Sequence, residues 1–262
     1  MSDPSTLWLL AGCDPTGGAG LWRDLATARA CAPELLLAGV VTAWTRQGGG
    51  IPATSAARSA DHVCADLRAL AAPAAVKLGL LPSGSSAQIL AAVAATGAPV
   101  VVDPVLAASD GGDLGARADA LVDVLRDMSR ETWLITPNRA EAAALAGTDA
   151  DDPTVLVRLA ARLGSAAILL KNGPGAPEGR VHDLLWHAGQ VLQLSRPRDP
   201  GPDPRGTGCA LATAIACGLA RGRTLPQAVA SAVAWLDVVR AWTHPGPDGR
   251  PHLPDAGPPL PA

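Results

Sequence analysis

Gly206-Thr207-Gly208-Cys209 runs without a break into the apolar stretch 210–220. A glycine loop that opens directly into a helix leaves several backbone N–H groups unpaired and aims them, with the positive end of the helix dipole, at one point. Such a point suits a phosphate, and the same field favours thiolate over thiol at Cys209. The other reading is an ordinary helix start with a small buried cysteine. A second glycine-rich turn, Gly12-Cys13-Asp14-Pro15-Thr16-Gly17-Gly18-Ala19-Gly20, is neither G-x-G-x-x-G nor a Walker A loop, because Leu21 follows where Lys and Ser or Thr would stand. Its glycines would let a substrate approach the backbone closely; a tight turn capped by Asp14 is the alternative.

Four further residues could carry chemistry. Asp103, in Val101-Val102-Asp103-Pro104, is a carboxylate leaving an apolar run, where charge is costly unless a cation or hydrogen bonds compensate it. A hydrated magnesium is one such partner. Glu141, in Thr136-Pro137-Asn138-Arg139-Ala140-Glu141, is either a second, outer ligand or a helix cap. Lys171 ends another apolar run and is either a phosphate-neutralising group or an exposed strand-end lysine. Gln47 offers a donor and an acceptor side by side, complementary to an aminopyrimidine edge, unless it is simply a solvated loop residue.

These residues need elements to position them. Apolar runs at 7–11, 35–43, 75–80, 100–103, 133–136 and 166–171 read as strands, most of them buried on both faces. Between them, 21–31, 60–71, 85–95, 116–129, 140–146 and 154–163 carry helical periodicity. Repeated strand–helix alternation predicts a mainly parallel sheet covered by helices, with ligands outside the carboxyl ends of the strands. Asp14, Gln47, Asp103, Asn138, Glu141 and Lys171 fall at those ends, and Lys77 lies within the third strand. Stretches 181–187 and 191–195 predict an antiparallel hairpin at the sheet edge, turned by Ala188-Gly189-Gln190. A last helix is predicted from Pro226 to about Trp242. Residues 1–244 thus read as one domain, and the proline-rich 245–262 as an extended, poorly ordered tail.

Composition narrows the function. With 48% hydrophobic and 17% charged residues, the 262-residue chain can bury a large core. A net charge of −3 without a basic cluster argues against nucleic acid as partner. Five scattered cysteines, never spaced C-x-x-C, argue against a disulfide framework or structural zinc and fit a reducing cytoplasm. No run approaches the ~18 apolar residues needed to span a membrane. Phe and Tyr are absent, so any stacking on a flat ligand falls to the seven Trp or to His.

Taken together and in order, Ala11-Gly12-Cys13-Asp14 with Gly17-Gly18-Ala19-Gly20 and Asp24-Leu25, Thr42-Ala43 with Gln47, Lys77-Leu78-Gly79, Val102-Asp103-Pro104-Val105, Thr136-Pro137-Asn138 with Glu141, and Gly206-Thr207-Gly208-Cys209 resemble the hydroxymethylpyrimidine and phosphomethylpyrimidine kinases of thiamine biosynthesis, within the ribokinase-like superfamily. The resemblance covers about residues 7–243. It implies a three-layer α/β/α fold and ATP- and Mg2+-dependent phosphorylation, first of 4-amino-5-hydroxymethyl-2-methylpyrimidine and then of its monophosphate. By resemblance, Asp14, Ala19 and Gln47 would hold the pyrimidine and Lys77 to Leu80 line its pocket. Asp103 and Glu141 would organise magnesium; Lys171, Asn138 and Thr207 would face the nucleotide. Gly206, Thr207 and Gly208 would form the anion hole, with Cys209 at the catalytic position. A cytoplasmic homodimer is implied as well. The rivals are a pyridoxal-type kinase and a non-catalytic pyrimidine-binding regulatory protein. Trp22, Trp44 and the segment Pro200-Gly201-Pro202-Asp203-Pro204-Arg205 depart from the usual pattern of the family.

Overall fold

The computed structural model describes residues 5–47, 53–107, 112, 114–128, 132–164, 166–199, 201 and 203–260. Strand β1 (Thr6–Cys13) sets the architecture, because its side chains divide by parity. Trp8 and Leu10 enter one apolar cluster, and Leu7, Leu9 and Ala11 enter another. A strand that is apolar on both faces is stable only if helices cover both. After β1 follow α1 (Gly20–Cys31), β2 (Leu36–Arg46), β3 (Thr54–Ala57), α2 (Ala60–Arg68), β4 (Pro73–Leu78), α3 (Ser86–Ala94), β5 (Val100–Val102), α4 (Ala118–Met128), β6 (Trp133–Ile135), α5 (Arg139–Ala146), α6 (Val155–Leu163) and β7 (Ala167–Leu170). The chain continues through β8 (Arg180–His187), β9 (Gln190–Pro197), α7 (Thr207–Ala220), α8 (Leu225–Val239), β10 (His244–Pro245) and β11 (Pro251–His252).

The nine-stranded sheet has the order β3-β2-β1-β4-β5-β6-β7-β8-β9 among the described residues. β2, β1, β4, β5, β6 and β7 run parallel, while β3, β8 and β9 add antiparallel edges. Helices α2 to α6 pack on one face, with α1, α7 and α8 on the other. The expected three-layer α/β/α fold and its edge hairpin are therefore present. Helix α7 is apolar almost all round, with 210–218 buried, because it lies between the sheet, α1 and α8. At its far end a Cβ on Gly218 would approach Ala228 Cβ to 2.9 Å, so glycine there lets α7 and α8 come close. No described helix is long and apolar enough to cross a membrane.

Three elements differ from the sequence expectation. Strand β3 was not anticipated: Thr-Ser-Ala-Ala carries no alternation, and only pairing with β2 makes it a strand. The α-helical part of α8 stops at Val239, with a 3-10 turn over Arg240–Trp242. The expected extended tail beyond 245 is instead folded back. Leu253 and Leu260 are buried, β10 pairs with β11, and Trp235 Nε1 donates to the Pro258 carbonyl at 2.8 Å. Prolines lack an N–H but keep a carbonyl, so this segment can accept bonds from the body while burying its leucines. Leu260 N donates to Cys31 O, and Arg23 Nη1 to Pro254 O, which pins the segment along α1.

Candidate active site

The carboxyl ends of the parallel strands and the start of α7 enclose one continuous cleft of about 830 Å³. Its charged end is built by short loops. Asp103 follows β5, Thr136 follows β6 and Lys171 follows β7. Lys171 Nζ donates to Asp103 Oδ1 at 3.0 Å, and Thr136 Oγ1 donates to the same oxygen at 3.3 Å. Burial works against the Asp103 charge, yet Lys171 and then Lys77 outweigh it and hold the carboxyl below its usual range. Asn138 and Glu141 form a reciprocal capping box on α5: Glu141 N donates to Asn138 Oδ1 at 2.9 Å and Asn138 N to Glu141 Oε2 at 2.8 Å. Glu141 thus caps a helix and lines the cleft at once. Desolvation pushes its carboxyl up to about 7, with Lys171 opposing and Asp103 adding to the rise.

Helix α7 starts against this pair. A Cβ on Gly208 would lie 3.2 Å from Lys171 Nζ and 3.6 Å from Asp103 Oδ2, so the glycine keeps the helix N-terminus open toward both charges. Gly206 has φ +81°, and a Cβ there would meet Gly18 O at 2.2 Å. The two glycine turns are therefore packed on each other. Gly18 likewise faces inward: a Cβ would come within 2.6 Å of His252 Cε1 and 3.1 Å of Arg205 Nε. The expectation that this turn's glycines admit a substrate is corrected at Gly18, which admits other parts of the chain, whereas Gly12 and Gly20 line the cleft.

Cys209 and Lys77 both line the cleft and interact electrostatically. Lys77 Nζ donates to Asp24 Oδ2 at 2.6 Å, both side chains wholly buried, and Thr213 Oγ1 donates to Asp24 Oδ1 at 2.8 Å. Burial alone would drive Lys77 toward neutrality; Asp24, with Cys209 and Asp103, instead raises it above its ordinary value. The expectation of a thiolate at Cys209 is corrected. Desolvation pushes the thiol up to about 12; Lys77 pulls it down, while Asp24 and Asp103 act against that help. A helix terminus in a cleft whose lysines are already paired does not ionise the sulfur.

At the other end, Ala19, Gln47, Gly79 and Leu80 line the wall. Gln47 is fully engaged on its inner side: Nε2 donates to Thr45 Oγ1 at 2.9 Å and Oε1 accepts from Arg205 Nη2 at 2.8 Å. Asp14 and Leu78 are the expected site residues outside the cleft wall, Leu78 lying in the core on one face of the sheet. Asp14 belongs to a buried network. It is 1% exposed, accepts from Thr16 and ion-pairs with Arg205 Nη2 at 2.8 Å. The structure thus brings Ala19, Gln47, Lys77, Leu80, Asp103, Asn138, Glu141, Lys171, Gly206, Thr207, Gly208 and Cys209 to one cleft. Sequence reasoning missed Arg205, Asp248 and His252, whose only signal was a lone arginine directly before the glycine loop. It also missed Arg196, Arg198 and Arg240 at the mouth, where Arg196 and Arg240 are paired with aspartates and Arg198 with Asn172.

The mainly parallel α/β/α sandwich, with a glycine-opened helix aimed at a paired lysine and carboxylate, is an architecture shared with solved pyridoxal and phosphomethylpyrimidine kinases. Structural likeness agrees at the level of fold. Staphylococcus aureus pyridoxal kinase in complex with pyridoxal aligns with a TM-score of 0.82 at 21% identity, over 98% of this chain and 95% of that one. Phosphomethylpyrimidine kinase from Clostridium difficile 630 aligns with a TM-score of 0.70 at 24% identity, over 90% and 99%. The same Staphylococcus kinase is also known in complex with AMP-PCP and with ADP. The chain belongs to the phosphomethylpyrimidine kinase family, whose sequence profile matches residues 14–247. Hydroxymethylpyrimidine/phosphomethylpyrimidine kinase of Streptomyces coelicolor is 36% identical over 87% of this chain and 86% of its own length. The enzyme of that name from Bacillus subtilis is 30% identical over 84% and 83%.

Proposed function

We propose that this chain transfers the γ-phosphoryl group of ATP to the hydroxymethyl group of 4-amino-5-hydroxymethyl-2-methylpyrimidine and then to the resulting monophosphate. The observation that carries this reading is the two-ended cleft: an amide donor–acceptor pair at one end, and a glycine-opened helix with Lys171 and Asp103 at the other. Gln47 would meet the aminopyrimidine edge, and Leu80 would cover its ring. Lys171 would exchange part of its bond to Asp103 for nucleotide phosphate, while the N–H groups of 206–208 stabilise charge on the transferred group.

Magnesium fits the donor set. Asp103 keeps Oδ2 free of any hydrogen bond among the described residues, and Glu141 is a carboxylate that desolvation raises despite Lys171, so a further cation there would be favoured. Two hard oxygen donors suit an ion that retains most of its water rather than an all-protein cage. Bound there, the ion would neutralise charge on the phosphates. Cys209 would take the alcohol's proton; since the thiol is raised to about 12, it does so from the small thiolate fraction, and the reaction accelerates with pH. A phosphate monoester is already an anion and needs no such base. A homodimer in a reducing cytoplasm completes the proposal, in keeping with five free cysteines and with Trp44, more than half exposed, on the outer part of the sheet.

The test is ADP release with hydroxymethylpyrimidine, its monophosphate and pyridoxal at equal concentrations, with and without Mg2+. The highest kcat/KM is expected for the first two; preference for pyridoxal would replace this reading, and no Mg2+-dependent release with any of the three would leave a binding protein.

A further inference from the structure

Arg205 sits at the centre of a buried network that links three distant stretches of the chain. It is 3% exposed. Nη2 donates to Asp14 Oδ2 in the first glycine turn and to Gln47 Oε1 at the cleft wall, each at 2.8 Å. Nη1 donates to Asp248 Oδ2 at 2.9 Å, and Asp248 Oδ1 in turn meets His252 Nε2 at 2.8 Å. The backbone closes the same junction, with Arg205 N donating to Pro251 O at 2.8 Å. A guanidinium this deeply buried is stable only with its charge balanced, and Asp14 with Asp248 supplies that balance.

The donor–acceptor logic has one solution for Gln47. A guanidinium offers donors only, so the amide oxygen must face Arg205. Thr45 Oγ1 spends its single proton on Cys13 O at 2.9 Å and can only accept from the amide nitrogen. Both ends of the amide are therefore assigned and a flip would place donor against donor. Left for a ligand are one N–H and one oxygen lone pair, in a fixed order along the wall.

We propose that Arg205, anchored by Asp248 of the folded-back C-terminal segment, is a positioning residue that fixes the Gln47 amide and so sets which heterocycle edge the cleft accepts: an acceptor opposite Nε2 and a donor opposite Oε1. This rests on the reading of Gln47 as the group that meets the pyrimidine. It also gives the C-terminal segment, whose Arg250 itself lines the cleft, a part in substrate choice.

The experiment compares the full-length protein with Arg205→Lys, Asp248→Asn, Gln47→Leu and the Arg205→Lys/Gln47→Leu double variant. The first readout is the 15N heteronuclear NOE of the Gln47 side-chain amide, identified by its loss in Gln47→Leu. It is expected to be high in the parent and to fall in Arg205→Lys and Asp248→Asn. The second is kinetics: kcat/KM for hydroxymethylpyrimidine is expected to fall about tenfold in Arg205→Lys with KM for ATP unchanged, and by less than about twofold when the same change is made on Gln47→Leu, since residues acting through one group are non-additive. An equally ordered Gln47 amide in the variants, or a full tenfold loss carried into the Gln47→Leu background, overturns the inference. Should Arg205→Lys fail to fold, Asp248→Asn is judged by the same NOE. A parent protein inactive on hydroxymethylpyrimidine would overturn the proposed substrate instead, while the NOE still decides the role of Arg205.

Discussion

The two ends of the cleft are held by opposite strategies. At the end proposed to take phosphate, Lys171 is paired with Asp103, and desolvation raises the Glu141 carboxyl to about 7 although Lys171 pulls it down. At the end proposed to take the pyrimidine every inner hydrogen bond of Gln47 is already made, by Arg205 and Thr45, and the side chains of Asp14, Arg205 and Asp248 behind it are buried. On the proposed reading, one end exchanges partners as ligands come and go. The other is built to keep them, so that only the ligand-facing atoms of one amide vary.

The contrast is sharpest at Cys209. Cys209→Ala is expected to slow turnover of hydroxymethylpyrimidine by roughly 10² to 10⁴ and turnover of its monophosphate far less, because only the alcohol has a proton to lose. In the parent enzyme the first reaction should climb steadily from pH 6 to pH 9, since pH stays below a thiol raised to about 12 and the thiolate fraction grows with each step. Cys209→Asp should flatten that climb. Steady-state kinetics with both acceptors check it; equal losses would make Cys209 a packing residue of the anion hole.

Next in size is Asp103→Asn, expected to weaken apparent Mg2+ affinity about 10- to 100-fold while leaving pyrimidine binding without nucleotide nearly unchanged. The parent should also bind Mg2+ less well at pH 6 than at pH 8. Below about 7 Glu141 holds a proton in the folded protein, and the ion must displace it. Mg2+ titrations of ADP release at the two pH values measure both. Gln47→Leu is a smaller change, about tenfold in kcat/KM for the pyrimidine and confined to that substrate, since one recognition pair is worth about 1.4 kcal/mol. Equal effects on KM for ATP would erase the division between the ends.

The least catalytic effect is expected from Gly18→Ala. Its Cβ would press on His252, itself held by Asp248, at a cost of about 1–3 kcal/mol in stability. Denaturant unfolding should register that loss while the monophosphate reaction stays within about twofold. A variant as stable as the parent would show that the glycine turn and the C-terminal segment are not tightly coupled.

Much of this molecule is legible from the chain alone. Apolar runs that must be covered on both faces determine parallel strands, and parallel strands bring Asp103, Asn138, Glu141, Lys171 and the start of α7 to one edge. That inference needs only periodicity and the right-handed strand–helix–strand connection. What the sequence could not determine is whatever depends on partners far away along the chain. Arg205 lies 191 residues from Asp14 and 158 from Gln47. Nothing local marks it as the pivot of the proposed recognition wall. A proline-rich end reads as a tail until Leu253 and Leu260 find the α1 and α8 surfaces that bury them. The Cys209 thiol reads as acidic from its helix terminus, and only the packed cleft, with its desolvation and its paired lysines, reverses the sign. Local geometry is written in patterns of neighbouring residues; burial and long-range pairing exist only once the chain has closed on itself.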